Sequence, residues 1–194
     1  MSQFWLYFKL GLTHVLDITA YDHVIFFIAL VIPYTFKNWK QVLWLVTTFT
    51  VGHTLSLMLS VYDIVSFDAK WIEFLIPVTI GVTALYSIFT AGKSINNEKI
   101  GLAFFATLFF GLIHGFGFSN YFRHIVAVED SKLIPTLEFA LGIETAQVIV
   151  VVFVLLLSYI MQTFFRFSKK EWMLIGSGIV IGFVIPMLIE TWPF

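Results

Sequence analysis

The chain contains no cysteine. Disulfide bonds and thiolate metal sites are therefore excluded, and the redox state of its compartment cannot be read. Charge is also scarce. Asp, Glu, Lys and Arg make up 12% of the 194 residues, half of the roughly 25% usual in a soluble domain. Eleven Lys and Arg against twelve Asp and Glu leave a net charge of -1 and a pI near 6.5. That balance offers no basic footprint for nucleic acid. No HExxH motif, no Cys or Met cluster for copper(I), no internal repeat and no low-complexity stretch occurs. The first ten residues, MSQFWLYFKL, lack a basic n-region and a small-residue cleavage site, so no cleavable signal peptide is expected.

What the chain has instead is apolar surface. Hydrophobic residues make up 59%, with 23 Phe and 6 Trp, and the mean hydropathy is +0.94. Long apolar runs separated by short charged segments are the pattern of a polytopic membrane protein. The runs fall at about 4–18, 21–36, 41–62, 71–91, 100–119, 134–165 and 171–190. The expected fold is an all-α transmembrane bundle of about six or seven helices, with residues 1–194 forming one domain. A crossing needs about 20 residues. The first two runs are short, and read either as a thin pair of crossings or as an interfacial helix followed by one crossing.

Orientation follows from the loop cations. Lys37, Lys40, Lys93, Lys99, Arg166, Lys169 and Lys170 fall in one alternating set of connections, and Lys70, Arg123 and Lys132 in the other. The richer set is assigned to the cytoplasm of what reads as a bacterial inner membrane. The C-terminus is then extracytoplasmic, and the N-terminus cytoplasmic if all seven runs cross.

This topology gives each intramembrane polar residue a depth. His14, Asp17, Asp22, His23, His53, His114 and Glu144 all fall toward the extracytoplasmic side, with Glu138 and Glu190 nearer the same surface. His124 reads as ordinary surface. Charged groups at the centre of a membrane helix cost about 2.5–3.5 kcal/mol on insertion scales and point to function. Neutral imidazoles and carboxylates satisfy one another most simply around a divalent cation, and this donor set suits zinc, nickel, copper or ferrous iron. The candidate ligands are His14, Asp22, His23, His53, His114 and Glu144. Thr50 and Thr54 share a helix face with His53 and are expected to orient its ring. Gln147 lies one turn from Glu144, and Asp17 is a further candidate near the site. Gly111 and Gly115 flank His114 at a small-xxx-small spacing that lets a neighbouring helix approach. A lone membrane histidine is more often an interhelical hydrogen bond than a ligand. Four on one side outweigh that reading.

The stretches YDHVIFFIAL, FTVGHTLSL, GLIHGFGFS and LGIETAQ resemble the HupE/UreJ family of small membrane proteins, in particular its second branch. The resemblance runs from about residue 8 to about 165. It implies six to eight helices and a nickel or cobalt permease of the kind linked to hydrogenase and urease. It also implies that His14, Asp22 and His23 form the metal-recognition motif. The family usually sets five residues between His and Asp-His. Here seven residues separate His14 from Asp22, which would alter the helical phase between His14 and His23.

Three functions follow. A divalent-metal permease would capture its ion from the extracytoplasmic side, although Thr47, Thr48, Thr83, Ser87, Thr107 and Ser158 read as scattered rather than as a polar path onward. An intramembrane zinc hydrolase or lipid-modifying enzyme would use Glu144 or Asp22 as general base on a metal-bound water. A haem- or metal-stabilised subunit of a membrane complex would need only two of the histidines. The partners implied are membrane lipid and the metal ion, with a homo-oligomer or a membrane complex left open.

Overall fold

The computed structural model describes residues 2–17, 19–93 and 97–194, with side chains described from residue 101 onward in the last stretch. Lys99, counted above among the loop cations, thus lies outside the described side chains. The described residues form seven α-helices and no strand: α1 (Gln3–Leu16), α2 (Asp22–Val31), α3 (Trp39–Val61), α4 (Ala69–Thr90), α5 (Asn97–Val126), α6 (Leu133–Thr163) and α7 (Lys169–Glu190). Five of them, α3 to α7, are long and apolar enough to cross a membrane. Local chemistry sets several ends. Asp68 caps α4 by accepting from the Lys70 backbone N–H at 3.0 Å. Ser168 and Glu171 form a reciprocal capping box at the start of α7. Pro77 and Pro186 lie inside α4 and α7, where neighbouring helices can compensate for the lost backbone bonds.

Neither expectation for the first two runs holds. The ten residues of α2 rise only about 15 Å, half the hydrocarbon thickness. α1 begins beside the connection between α5 and α6, where Gln3 Nε2 and Tyr7 Oη each donate to the Glu129 carboxylate at 2.7 Å. It then descends along α6. The chain breaks between Asp17 and Tyr21, and α2 continues in the same direction. Ile32 reaches Gly176 in the first part of α7, and Tyr34 shares a cavity with Lys93 and Lys169. α1 and α2 together thus run the length of the bundle as one discontinuous element beside the five long helices, so Gln3 and Phe194 lie at the same end. Trp71 and Phe74 at the start of α4 pack there against Phe194 and Trp192, with ring centroids 5.3 and 5.4 Å apart. The opposite end carries Lys37, Lys40, Lys93, Arg166, Lys169 and Lys170, and is called the basic end below.

The closest helix pairs meet at glycine. A Cβ on Gly52 would overlap the Leu108 carbonyl oxygen, one on Gly111 the Phe49 carbonyl oxygen, and one on Gly115 the Ser56 hydroxyl and His53 carbonyl. α3 and α5 thus touch backbone to backbone. Without a hydrophobic driving force between helices in lipid, such van der Waals contact is what holds them together. Gly11 of α1 and Gly142 of α6 make a second contact of the same kind, against Phe139 and Phe8 backbone. These two seams position α1, α3 and α5, three of the four elements that carry the clustered histidines.

Candidate metal centre

His14 comes from the last turn of α1, Asp22 and His23 from the first turn of α2, His53 from α3 and His114 from α5. The break between α1 and α2 brings them together. The His23 ring centroid lies 4.7 Å from that of His14, 5.7 Å from His53 and 5.2 Å from His114, and His14 is 5.8 Å from His53. One potential donor atom each from His14, His23 and His53 lie within 4.8 Å of one another. Asp22, His23 and His114 form a second such group, so His23 belongs to both. His53 is fully buried and His114 and His23 nearly so.

The hydrogen bonds decide which ring atoms are free. Asp22 Oδ1 accepts from the His23 backbone N–H at 2.8 Å and lies 3.0 Å from His23 Nδ1. A carboxylate only accepts, so His23 carries its proton on Nδ1 and keeps a lone pair on Nε2. On α4, the Thr79 hydroxyl donates to the Ile76 carbonyl at 2.8 Å. Its hydrogen is thereby used, and toward His114 Nε2 at 3.2 Å it can only accept. That fixes the His114 proton on Nε2 and leaves the lone pair on Nδ1. Among the described residues His23 Nε2 and His114 Nδ1 are buried without a partner, as are His14 Nε2 and both nitrogens of His53. Buried polar atoms without partners are few in a native protein and costly. Several on facing rings could together hold a metal ion. Local dipoles agree: the C-terminal end of α1 favours a cation, and Asp22 offsets the positive end of α2.

Aromatic rings close the cluster on two sides. Phe118 lies 3.9 Å from the His14 ring and stacks on Phe139 at 5.4 Å. Toward the basic end, Phe26 and Phe49 are 4.9 Å apart and each lies 5.2 Å from His114.

Glu144 stands apart from both donor groups. The packing of α6 on α3 sets it opposite Thr47 and Thr50, which lie nearer the basic end than His53. Thr47 Oγ1 donates to Glu144 Oε1 at 2.6 Å, and Thr50 Oγ1 donates its one hydrogen to Glu144 Oε2 and lies 2.8 Å from Gln147 Oε1. Thr50 therefore serves Glu144 and not the His53 ring, and the Thr54 hydroxyl has no hydrogen bond among the described residues. Asp17 is exposed and accepts from the Thr19 backbone and hydroxyl at 2.8 and 2.7 Å, a local turn in the helix break. His124 and Glu190 are exposed at the end away from the basic loops. Thr79 was not legible in the sequence, since nothing local pairs it with a residue on the next helix. Thr47 reads as isolated until α6 is packed against it.

A family model described as HupE / UreJ protein matches residues 1–191. The chain belongs to the HupE / UreJ family. No curated protein and no solved structure matches it. Family membership and five membrane-length apolar helices establish an integral membrane protein of a family tied to metal handling. The expected change of helical phase between His14 and His23 does not arise: α1 ends at Leu16 and α2 starts at Asp22, so no helical phase is carried across, and the two rings lie 4.7 Å apart.

Proposed function

We propose that the protein is a divalent-metal permease for nickel or cobalt. His14, Asp22, His23, His53 and His114 hold the transported ion, and the basic end faces the cytoplasm of a bacterial inner membrane. The observation that carries this reading is the position of the cluster. Unpartnered imidazole nitrogens gather at the break of a discontinuous membrane helix, the element on which secondary transporters build their ion sites near mid-depth. Nitrogen and carboxylate donors suit nickel, cobalt and zinc alike.

The path onward supports transport too. Thr50 is about 4.5 Å of helix rise below His53, and Thr47 about 9 Å. Both face the Glu144 carboxylate, which makes a second polar station between the histidines and the basic end. Phe118–Phe139 and Phe26–Phe49 act as thin gates on either side of an occluded ion. The hydrolase reading is weaker on the same geometry. Asp22 is committed to His23, and Glu144 is committed to two threonines away from the imidazoles, so neither is placed as a free general base on a metal-bound water.

The test is ion flux into proteoliposomes for nickel, cobalt and zinc. Saturable nickel or cobalt uptake that the His53→Ala/His114→Ala protein lacks is the expected result. Near-stoichiometric zinc that never leaves the protein, with no flux, overturns the permease in favour of a structural or catalytic site. Within the permease reading, Glu144→Gln is expected to leave nickel binding within about threefold of wild type while uptake falls by about tenfold or more, because it weakens the second station and spares the first. Unchanged uptake removes Glu144 from the path.

A further inference from the structure

A cavity of about 290 Å³ lies at the basic end between α2, α4, α5 and α7. It is separate from the histidine cluster and from the α3–α6 seam that holds Glu144. Its walls combine two chemistries. Leu30, Val82, Phe110 and Met173 are apolar, whereas Tyr34, Ser87, Thr107, Lys93 and Lys169 bring hydroxyl and ammonium groups to the same space. Tyr34, Ser87 and Thr107 are buried to 7%, 1% and 2% exposure, and none of their hydroxyls has a hydrogen-bond partner among the described residues. Two ammonium groups would repel a divalent cation, so this cavity does not serve as the exit for the metal. They attract an anion.

The surroundings specify which anion. The rim residues Val82, Tyr86 and Leu102 are 51%, 43% and 62% exposed, so the cavity opens sideways toward lipid. A second cavity, of about 530 Å³, lies beside it between α4 and α5. The two share Val82 and Phe110, and the second is lined mainly by apolar residues such as Leu75, Phe109 and Phe116. A hydroxyl and lysine pocket at the level of the membrane surface, beside an apolar slot running into the membrane, matches one class of molecule.

We propose that the protein binds an anionic phospholipid here, its phosphate held by Lys93, Lys169 and the hydroxyls of Tyr34, Ser87 and Thr107, and an acyl chain laid in the groove between α4 and α5. Lysines at the membrane surface favour anionic headgroups, and their long stems let the ammonium reach the phosphate while the stem stays on apolar wall. The proposal does not depend on the metal site.

Native mass spectrometry of protein released from nanodiscs tests it. The nanodiscs contain phosphatidylcholine alone or phosphatidylcholine mixed with phosphatidylglycerol. The wild type is expected to retain phosphatidylglycerol in preference to phosphatidylcholine and to melt at higher temperature with it. Lys93→Gln/Lys169→Gln is expected to lower that retention by roughly tenfold or more, since each lysine favours an anionic lipid. Lys37→Gln/Lys40→Gln, at the same end but outside the cavity, keeps it. Thr107→Leu fills the cavity with both lysines intact and is expected to lose the lipid as well; it decides the matter if the lysine variant does not fold. Equal retention by wild type and the cavity variants overturns the proposal. So does equal retention of the two lipids, or displacement of the lipid by inorganic phosphate, which would make the cavity a free-anion site.

Discussion

His23→Ala is expected to lower nickel affinity by roughly 100-fold or more, the largest loss of any single substitution at the site. His23 is the residue common to both donor groups, so its removal leaves neither group with three members. The loss also frees Asp22, whose carboxylate then faces other partners in a buried setting. Thr79→Val tests the same geometry from the side. It keeps the shape of the residue but removes the oxygen that fixes the His114 proton on Nε2. A partner that orients a ligating histidine is worth about 10–100-fold in affinity, so Thr79→Val should cost about tenfold with the fold intact. Calorimetric titration of the purified proteins with nickel gives both values. If His23→Ala binds as tightly as wild type, the imidazoles are interhelical hydrogen-bonding groups and not a metal site.

Gly111→Ala and Gly115→Ala are each expected to produce a large loss of stability. Each adds a Cβ where α3 backbone already stands. The helices must part, and overpacking of this kind costs about 1–3 kcal/mol. Parting α3 from α5 also separates His53 from His114, so metal affinity should fall together with the melting temperature. Gly178→Ala and Gly182→Ala are the controls. A Cβ at either meets nothing within 4 Å, and replacing a helical glycine by alanine is neutral or stabilising by up to about 1 kcal/mol. Thermal unfolding of the four proteins in one detergent measures the contrast. Equal melting temperatures would mean that α3 and α5 do not touch as described.

Much of the architecture was legible because the bilayer enforces it. Runs 41–62, 71–91, 134–165 and 171–190 match α3, α4, α6 and α7 within a few residues, since a membrane segment must be both apolar and helical to satisfy its backbone. The family was legible from the histidine blocks. The small-xxx-small spacing of Gly111 and Gly115 predicted a close helix contact, and α3 makes it. Other features failed for a common reason. Run one and run two are each too short to cross, and sequence offers no signal that two short helices stack end to end. Thr50 shares a helix face with His53 in the sequence, yet its hydroxyl turns to Glu144 on another helix. Thr83, Ser87 and Thr107 read as scattered, and two helices bring them to one cavity.

The sequence by itself determined an all-helical membrane protein, its family, the clustering of basic residues at one end, and the supply of His and carboxylate donors. Those follow from local composition and from distances along a single helix. Only the tertiary structure decided that α1 and α2 form one broken element, that His14, His23, His53 and His114 meet at the break, and that Glu144 stands apart with Thr47 and Thr50. It alone decided which imidazole nitrogens remain free. Each of these depends on the register between packed helices, set by glycine contacts far apart in the chain, and a slide of one helix by a single turn of about 5.4 Å would change every one of them while leaving the hydrophobic pattern the same.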